Sequence, residues 1–113
     1  MSAHSACAET CHQCMDACLA LIPHCLAHCA KTGQPADPEH IGTLMDCAEI
    51  CAASHSFLHR SSPHHAAICA ACATVCDACA ACCAELGLED ASTKTCAAAC
   101  KACADSCRKM AKH

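Results

Sequence analysis

The run CAACATVCDACAACC, residues 69–83, sets cysteines at 69, 72, 76, 79 and 83, with Cys82 beside the last. Steps of three, four, three and four follow one face of a helix, where such neighbours lie about 5–6 Å apart at Cβ. A helix here carries a file of thiols along the stripe where a bundle ordinarily carries leucine.

The same stripe recurs on both sides of this run. Residues 2–31 carry Cys7, Cys11, Cys14, Cys18, Cys25 and Cys29; Leu21 fills the skipped position, His4 precedes the file and His28 continues it. Pro23 removes a backbone donor and crowds the carbonyl of Leu19, which predicts a kink that leaves the register intact. KTGQPA, residues 31–36, reads as a turn, with Gly33 as the left-handed residue that ends the helix. Asp37 as cap and Pro38 in the first turn then open a second helix over 38–60. Its stripe is His40, Leu44, Cys47, Cys51, His55 and His59. Ser62 and Pro63 repeat that start signal for a third helix over 63–86, in which His65 precedes Cys69 by four residues and Gly87 supplies the stop. The fourth helix, over 89–111, starts near Asp90 or Ser92 and carries Cys96, Cys100, Cys103 and Cys107, followed by Met110.

Four helical segments joined by short turns, with no alternating strand pattern, predict an all-α fold. The expected architecture is an antiparallel up-down-up-down four-helix bundle with a cysteine-lined lumen, one domain spanning 1–113. A conventional core would be thin, because the 113 residues include a single aromatic, Phe57, and much of the apolar share is alanine and cysteine.

Composition excludes several functions. A net charge of −4 with scattered lysines and arginines gives no basic patch, and Phe57 is the single aromatic on which a base could stack, so nucleic acid is not an expected partner. No apolar run approaches the roughly 20 residues that span a bilayer. The opening MSAHSACAETC lacks a basic segment followed by an apolar one, which predicts a cytoplasmic protein with no membrane partner. Nor is an enzyme expected: there is no nucleophile with an oriented base, no phosphate loop and no cofactor fingerprint, and a thiol oxidoreductase needs one exposed reactive pair.

Eighteen cysteines would mean a disulfide framework in a small secreted domain. A disulfide needs Cβ atoms about 3.5–4.5 Å apart, so neighbours along one helix cannot close; disulfides between helices stay open as an alternative, disfavoured by the missing export signal and a reducing cytoplasm. Nor does stability select cysteine, since leucine or valine would bury more area at the same positions. Soft metal binding remains. Thiolates favour Cu(I), Zn(II) and iron–sulfur clusters. Zinc wants four ligands converging from paired knuckles, whereas a helical file offers two sulfurs at a time, and the ferredoxin run is missing. Cu(I) accepts two or three thiolates, and if each thiolate bridges two ions the capacity is about one copper per cysteine. A zinc or other soft-metal binder and a thiol redox buffer are the alternatives.

CxxxC and CxxC spacings on one face of helix after helix resemble the copper storage proteins, helix bundles filled with Cu(I), and the missing export signal resembles the cytosolic branch of that family. The resemblance implies a homotetramer that stores or sequesters many Cu(I) ions. It implies ligation by Cys7, Cys11, Cys14, Cys18, Cys25, Cys29, Cys47, Cys51, Cys69, Cys72, Cys76, Cys79, Cys83, Cys96, Cys100, Cys103 and Cys107. Cys82, one position off the stripe, joins the set as its misfit. A copper chaperone or an efflux system is the candidate protein partner.

Threading the chain up and down gathers His4, His55, His59, His64, His65 and Met110 at one end, and His24, His28, Cys29, His40, Cys82, Cys83 and Cys96 at the other. His12, His24 and His113 read as solvated surface residues. His4, His55, His59, His65 and Met110 read as weaker ligands that admit copper and pass it inward to thiolates. Leu19, Ile22, Leu26, Ile41, Ile50, Phe57, Ile68, Val75 and Leu86 flank the lumen, where they pack between helices or form a subunit contact.

Overall fold

The structure is a computed structural model that describes residues 2–86 and 90–112. It contains four helices, α1 (Ala3–Thr32), α2 (Pro38–His59), α3 (His65–Glu85) and α4 (Ala91–Met110), and no strand among the described residues.

Local chemistry sets most helix ends. The Ser2 hydroxyl accepts from the Ser5 N–H at 3.1 Å, Asp37 from the Glu39 N–H at 3.0 Å, and Asp90 from the Thr93 N–H at 2.9 Å. Each bond satisfies an amide that the first helical turn leaves without a partner. Gly33 closes α1 at φ 74°, in the left-handed region where a missing Cβ costs nothing. Pro23 lies inside α1 without ending it, and Leu21 and Cys25 on either side are both buried. The stripe therefore keeps its register through the proline.

The start of α3 differs from expectation. The helix begins at His65 rather than at position 63, and its cap His64 makes no side-chain bond. Ser61 has turned left-handed at φ 53°, so Pro63 falls in a tight turn closed by the Ser62 hydroxyl, which accepts from the His64 N–H at 3.1 Å. The helix stop expected at Gly87 and the start expected at position 89 lie outside the described residues.

Packing follows a square. α1 lies against α2 and α4, and α3 against the same two neighbours, while the diagonal pairs make no backbone contact among the described residues. Sulfur contacts fix the direction of the chain. Cys7 meets Cys107, Cys14 meets Cys100 and Cys18 meets Cys96, so α1 and α4 run antiparallel. Cys47 with Cys76 and Cys51 with Cys72 say the same of α2 and α3. The result is an up-down-up-down bundle of 48 × 22 × 19 Å, the long axis close to the about 45 Å that thirty helical residues span.

The interior consists of the stripes. Sixteen cysteines are buried, and the large aliphatic side chains fully buried among them are Leu21, Leu44 and Leu58. Ile22, Ile41, Ile50, Ile68 and Val75 flank this core, half-buried in the seams between helices, whereas Leu19, Leu26 and Met45 are exposed. One expectation is corrected here: α3 is long and apolar enough to cross a membrane by length and composition, with a mean hydropathy of 1.9. Alanine and cysteine supply that hydropathy, and the cysteine face of the helix is turned into the bundle.

Candidate metal centre

Because all four stripes face one axis, thiols from different helices meet. Sulfur–sulfur contacts of 3.6–4.0 Å form an unbroken path from Cys7 through Cys107, Cys11, Cys103, Cys51, Cys76, Cys47 and Cys100 to Cys18. Cys14 branches from it beside Cys47 and Cys100, Cys72 beside Cys51 and Cys76, and Cys79 and Cys96 beside Cys18. Successive steps cross from helix to helix, so the path is a property of the bundle and not of any one stripe.

Four-sulfur groups recur along this path, with all four atoms within 4.8 Å of one another. Cys14, Cys47, Cys51 and Cys76 form one; Cys14, Cys18, Cys47 and Cys100 form the next; Cys51, Cys72, Cys76 and Cys103 form a third. Each draws on three helices and shares members with another group. This removes the spacing argument against zinc, since a closed bundle converges four thiols where a lone helix offers two. Sharing still favours a monovalent soft ion. Zn(II) held by four private thiolates leaves two negative charges in a dry interior, whereas one bridging Cu(I) per thiolate leaves none. With a metal–thiolate bond of about 2.3 Å, sulfurs stand about 4.0 Å apart around a trigonal ion and about 4.6 Å apart across a linear one. The observed contacts suit the first without movement and the second after a small opening of the lumen.

The thiols influence one another's acidity. Hydrogen bonding with Cys100 and then Cys103 holds the Cys14 thiol well below its usual range, and Cys103 and Cys107 do the same for Cys72. Their partners do not move alike: Cys100 is pushed far up, first by its bond to Cys14, and Cys107 by its bond to Cys103, whereas bonds to Cys107 and Cys11 bring Cys103 down to about 6. Burial pushes Cys25 up, with the negative charge of Asp90 next in importance. Thiolates and not thiols ligate metal, so binding many cations expels the protons of the thiols that take them up.

The remaining candidate residues divide by position. Cys25, Cys69 and Cys83 are buried. Cys29 and Cys82 are half-exposed, because α1 runs beyond the lumen in its last turn and Cys82 faces outward beside buried Cys83. His65 and Met110 are buried, His4 and His55 half-buried, and His59 exposed. His4, His55 and His59 line one cavity of about 470 Å³ between the start of α1 and the end of α2. His12, read from the sequence as a solvated residue, has its ring 5.4 Å from that of His55.

One residue outside the expected ligand set stands beside the thiols. His40 is 4% exposed, and its Nε2 lies 3.9 Å from the Cys25 sulfur. It occupies the stripe position four residues before Leu44, which was the available signal. Together with Cys25, His28, Cys29 and Asp37 it lines a cavity of about 260 Å³ at the far end of the bundle.

A closed helical bundle whose interior is a connected array of free thiols defines a soft-metal-binding protein. The chain belongs to the copper storage protein family, whose model (Csp) matches residues 1–112. No curated protein sequence matches it. Among solved structures it resembles a cytosolic copper storage protein from Streptomyces lividans loaded with five coppers, at 32% identity over 98% of this chain and 93% of that one, TM-score 0.81. It resembles the Cu(I)-bound copper storage protein BsCsp3 at 34% identity over 97% and 99% of the two chains, TM-score 0.76. The apo form of copper storage protein 3 from Bacillus subtilis aligns at 35% identity over 93% and 95%, TM-score 0.78.

Proposed function

We propose that this chain stores Cu(I), all of residues 1–113 acting as one metal-storage domain in the cytoplasm. The observation that carries the reading is the connected path of shared four-sulfur groups, which suits an ion able to bridge thiolates and take two or three of them. The proposed ligands are Cys7, Cys11, Cys14, Cys18, Cys25, Cys29, Cys47, Cys51, Cys69, Cys72, Cys76, Cys79, Cys82, Cys83, Cys96, Cys100, Cys103 and Cys107. His4, His55, His59, His65 and Met110 serve as weaker ligands at one end. His40, beside Cys25, is added to the set.

Storage is a binding function and not a catalytic one: copper enters and leaves unchanged in oxidation state, exchanged with a chaperone or an efflux system. Self-association, to a homotetramer as in the cytosolic family resemblance, would cover the exposed Leu19, Leu26 and Met45, and light scattering measures it directly.

Reduced protein titrated anaerobically with Cu(I) against a competing chelator should take up close to 18 ions per chain. Saturation at one to four ions, or tighter binding of Zn(II) than of Cu(I) at each step, would overturn the reading.

A further inference from the structure

The far end of the bundle carries a donor set unlike that of the lumen. Cys25, His28 and Cys29 follow one another by three residues and then one in the last two turns of α1, a spacing that puts all three on one helix face. His40 reaches the same place from the first turn of α2, and the four residues line one cavity of about 260 Å³. His24 stands apart from the group, its Nε2 lying 3.3 Å from the Asp90 carboxylate.

The sulfur path does not extend to this end. It finishes at Cys18 and its neighbours Cys79, Cys96 and Cys100, whereas the close contact of Cys25 is with His40, Sγ to Nε2 at 3.9 Å. Cys29 makes no sulfur contact of that kind among the described residues. Both thiols are therefore placed to be terminal donors and not bridges. His40 is buried, and its Nδ1 has no hydrogen-bond partner. An imidazole taken out of water with a weak thiol contact on one nitrogen and nothing on the other is destabilising, so the arrangement calls for a ligand.

Charge and geometry select the ion. Two terminal thiolates with two neutral imidazoles carry two negative charges, which a divalent cation cancels and Cu(I) does not. Mixed thiolate and imidazole donors, four around one centre, are a set that zinc takes tetrahedrally. With bonds of about 2.3 Å to sulfur and about 2.0 Å to nitrogen, a tetrahedral ion holds those two atoms about 3.5 Å apart. The Cys25–His40 pair is already within about 0.4 Å of that separation. Half-exposed Cys29 and exposed His28 can swing in to complete it.

We propose that Cys25, His28, Cys29 and His40 form a Zn(II) site, distinct from the copper lumen, that ties the overhanging end of α1 to the start of α2. With Nε2 on the ion, Nδ1 keeps its proton. Asp37, three residues earlier and lining the same cavity, supplies a carboxylate of the kind that orients a metal-bound ring. Binding forms two Zn–S and two Zn–N bonds and releases two thiol protons to water, and no oxidation state changes. The inference takes from the storage reading that Cys25, Cys29 and His40 are ligands. It adds which ion they hold until an excess of Cu(I) displaces it.

The test gives reduced, metal-free protein one equivalent of Zn(II) and reads its neighbours by X-ray absorption at the zinc edge. Two sulfurs and two nitrogens are expected; four sulfurs would put the ion in the lumen and overturn the site. The same equivalent should slow maleimide modification of Cys29 at least tenfold and leave the rate at Cys82 unchanged. H28A, a change at an exposed position, should leave the fold intact and lower the affinity for the first Zn(II) at least tenfold against a competing chelator, as should H40A. H24A should match the wild type. Undiminished affinity in H28A, or no protection of Cys29, would also overturn the site. A Cu(I) capacity of only a few ions would instead overturn storage and leave the zinc result standing.

Discussion

The sulfur of Cys47 on α2 lies 3.7 Å from that of Cys76 on α3, in contact but far beyond the about 2.05 Å of a disulfide. Both residues are fully buried and all eighteen cysteines are free thiols. The lumen thus holds thiols close enough to share a metal and keeps them from the solvent that would deliver a reagent or oxidant.

That shielding predicts a sharp division in reactivity. In the metal-free protein a small maleimide should modify Cys29 and Cys82 quickly, since they alone are half-exposed. The other sixteen should react at least tenfold more slowly, limited by opening of the bundle. Mass spectrometry against time counts the two classes. Uniform labelling of all eighteen would contradict the closed lumen.

Shared sulfurs should weigh more than private ones. Cys47 belongs to two four-sulfur groups, so C47A should lower Cu(I) capacity by about two ions. C82A, at the half-exposed edge, should lower it by one or none. Equal losses in the two titrations would show that connectivity does not govern capacity.

Ser54 offers the converse change. It is fully buried one turn beyond Cys51 on the inward stripe of α2, and its hydroxyl has no hydrogen-bond partner. S54C replaces a destabilising buried hydroxyl with a thiol that tolerates an apolar site. The variant should be at least as stable as the wild type to urea and should bind about one more Cu(I). A loss of stability, or an unchanged capacity, would count against the position as part of the file.

Burial raises the Cys25 thiol above its ordinary value, helped by the charges of Asp90 and Cys29. In the folded state it therefore keeps its proton to higher pH than in the unfolded chain, where a thiol titrates near about 8.5. The stability contributed by the protonated form is fully present below that pH and is lost as pH rises through the folded-state value. Urea midpoints of the metal-free protein should hold steady from about pH 6 to 8 and fall above about 9. C25A should flatten part of that fall.

Much of this arrangement was legible in the chain. Cysteine periodicity alone selects the inward face of each helix, and Asp37, Pro38 and Gly33 mark the first turn by chemistry that needs no tertiary context. Periodicity says nothing about how far one helix slides along another. The neighbours of each thiol, the convergence of four sulfurs and the contact between His40 and Cys25 all depend on that slide, which turn geometry and side-chain packing set. The delayed start of α3 escaped for a related reason. Ser62 and Pro63 suit a helix cap and a tight turn equally well, and the left-handed Ser61 decides between them.

The sulfur path runs along a bundle 48 Å long and about 20 Å wide, so it leaves no room for ions to overtake one another. Such a store keeps a history. If ions are exchanged mainly at the His4–His65 end, the last copper admitted is the first returned, and copper near Cys18 stays in place through many cycles of partial filling. Cells that draw lightly on the protein would recycle a small mobile fraction above a nearly permanent deposit. Pulse labelling with isotopically distinct copper would reveal that layering as two release rates from one homogeneous protein.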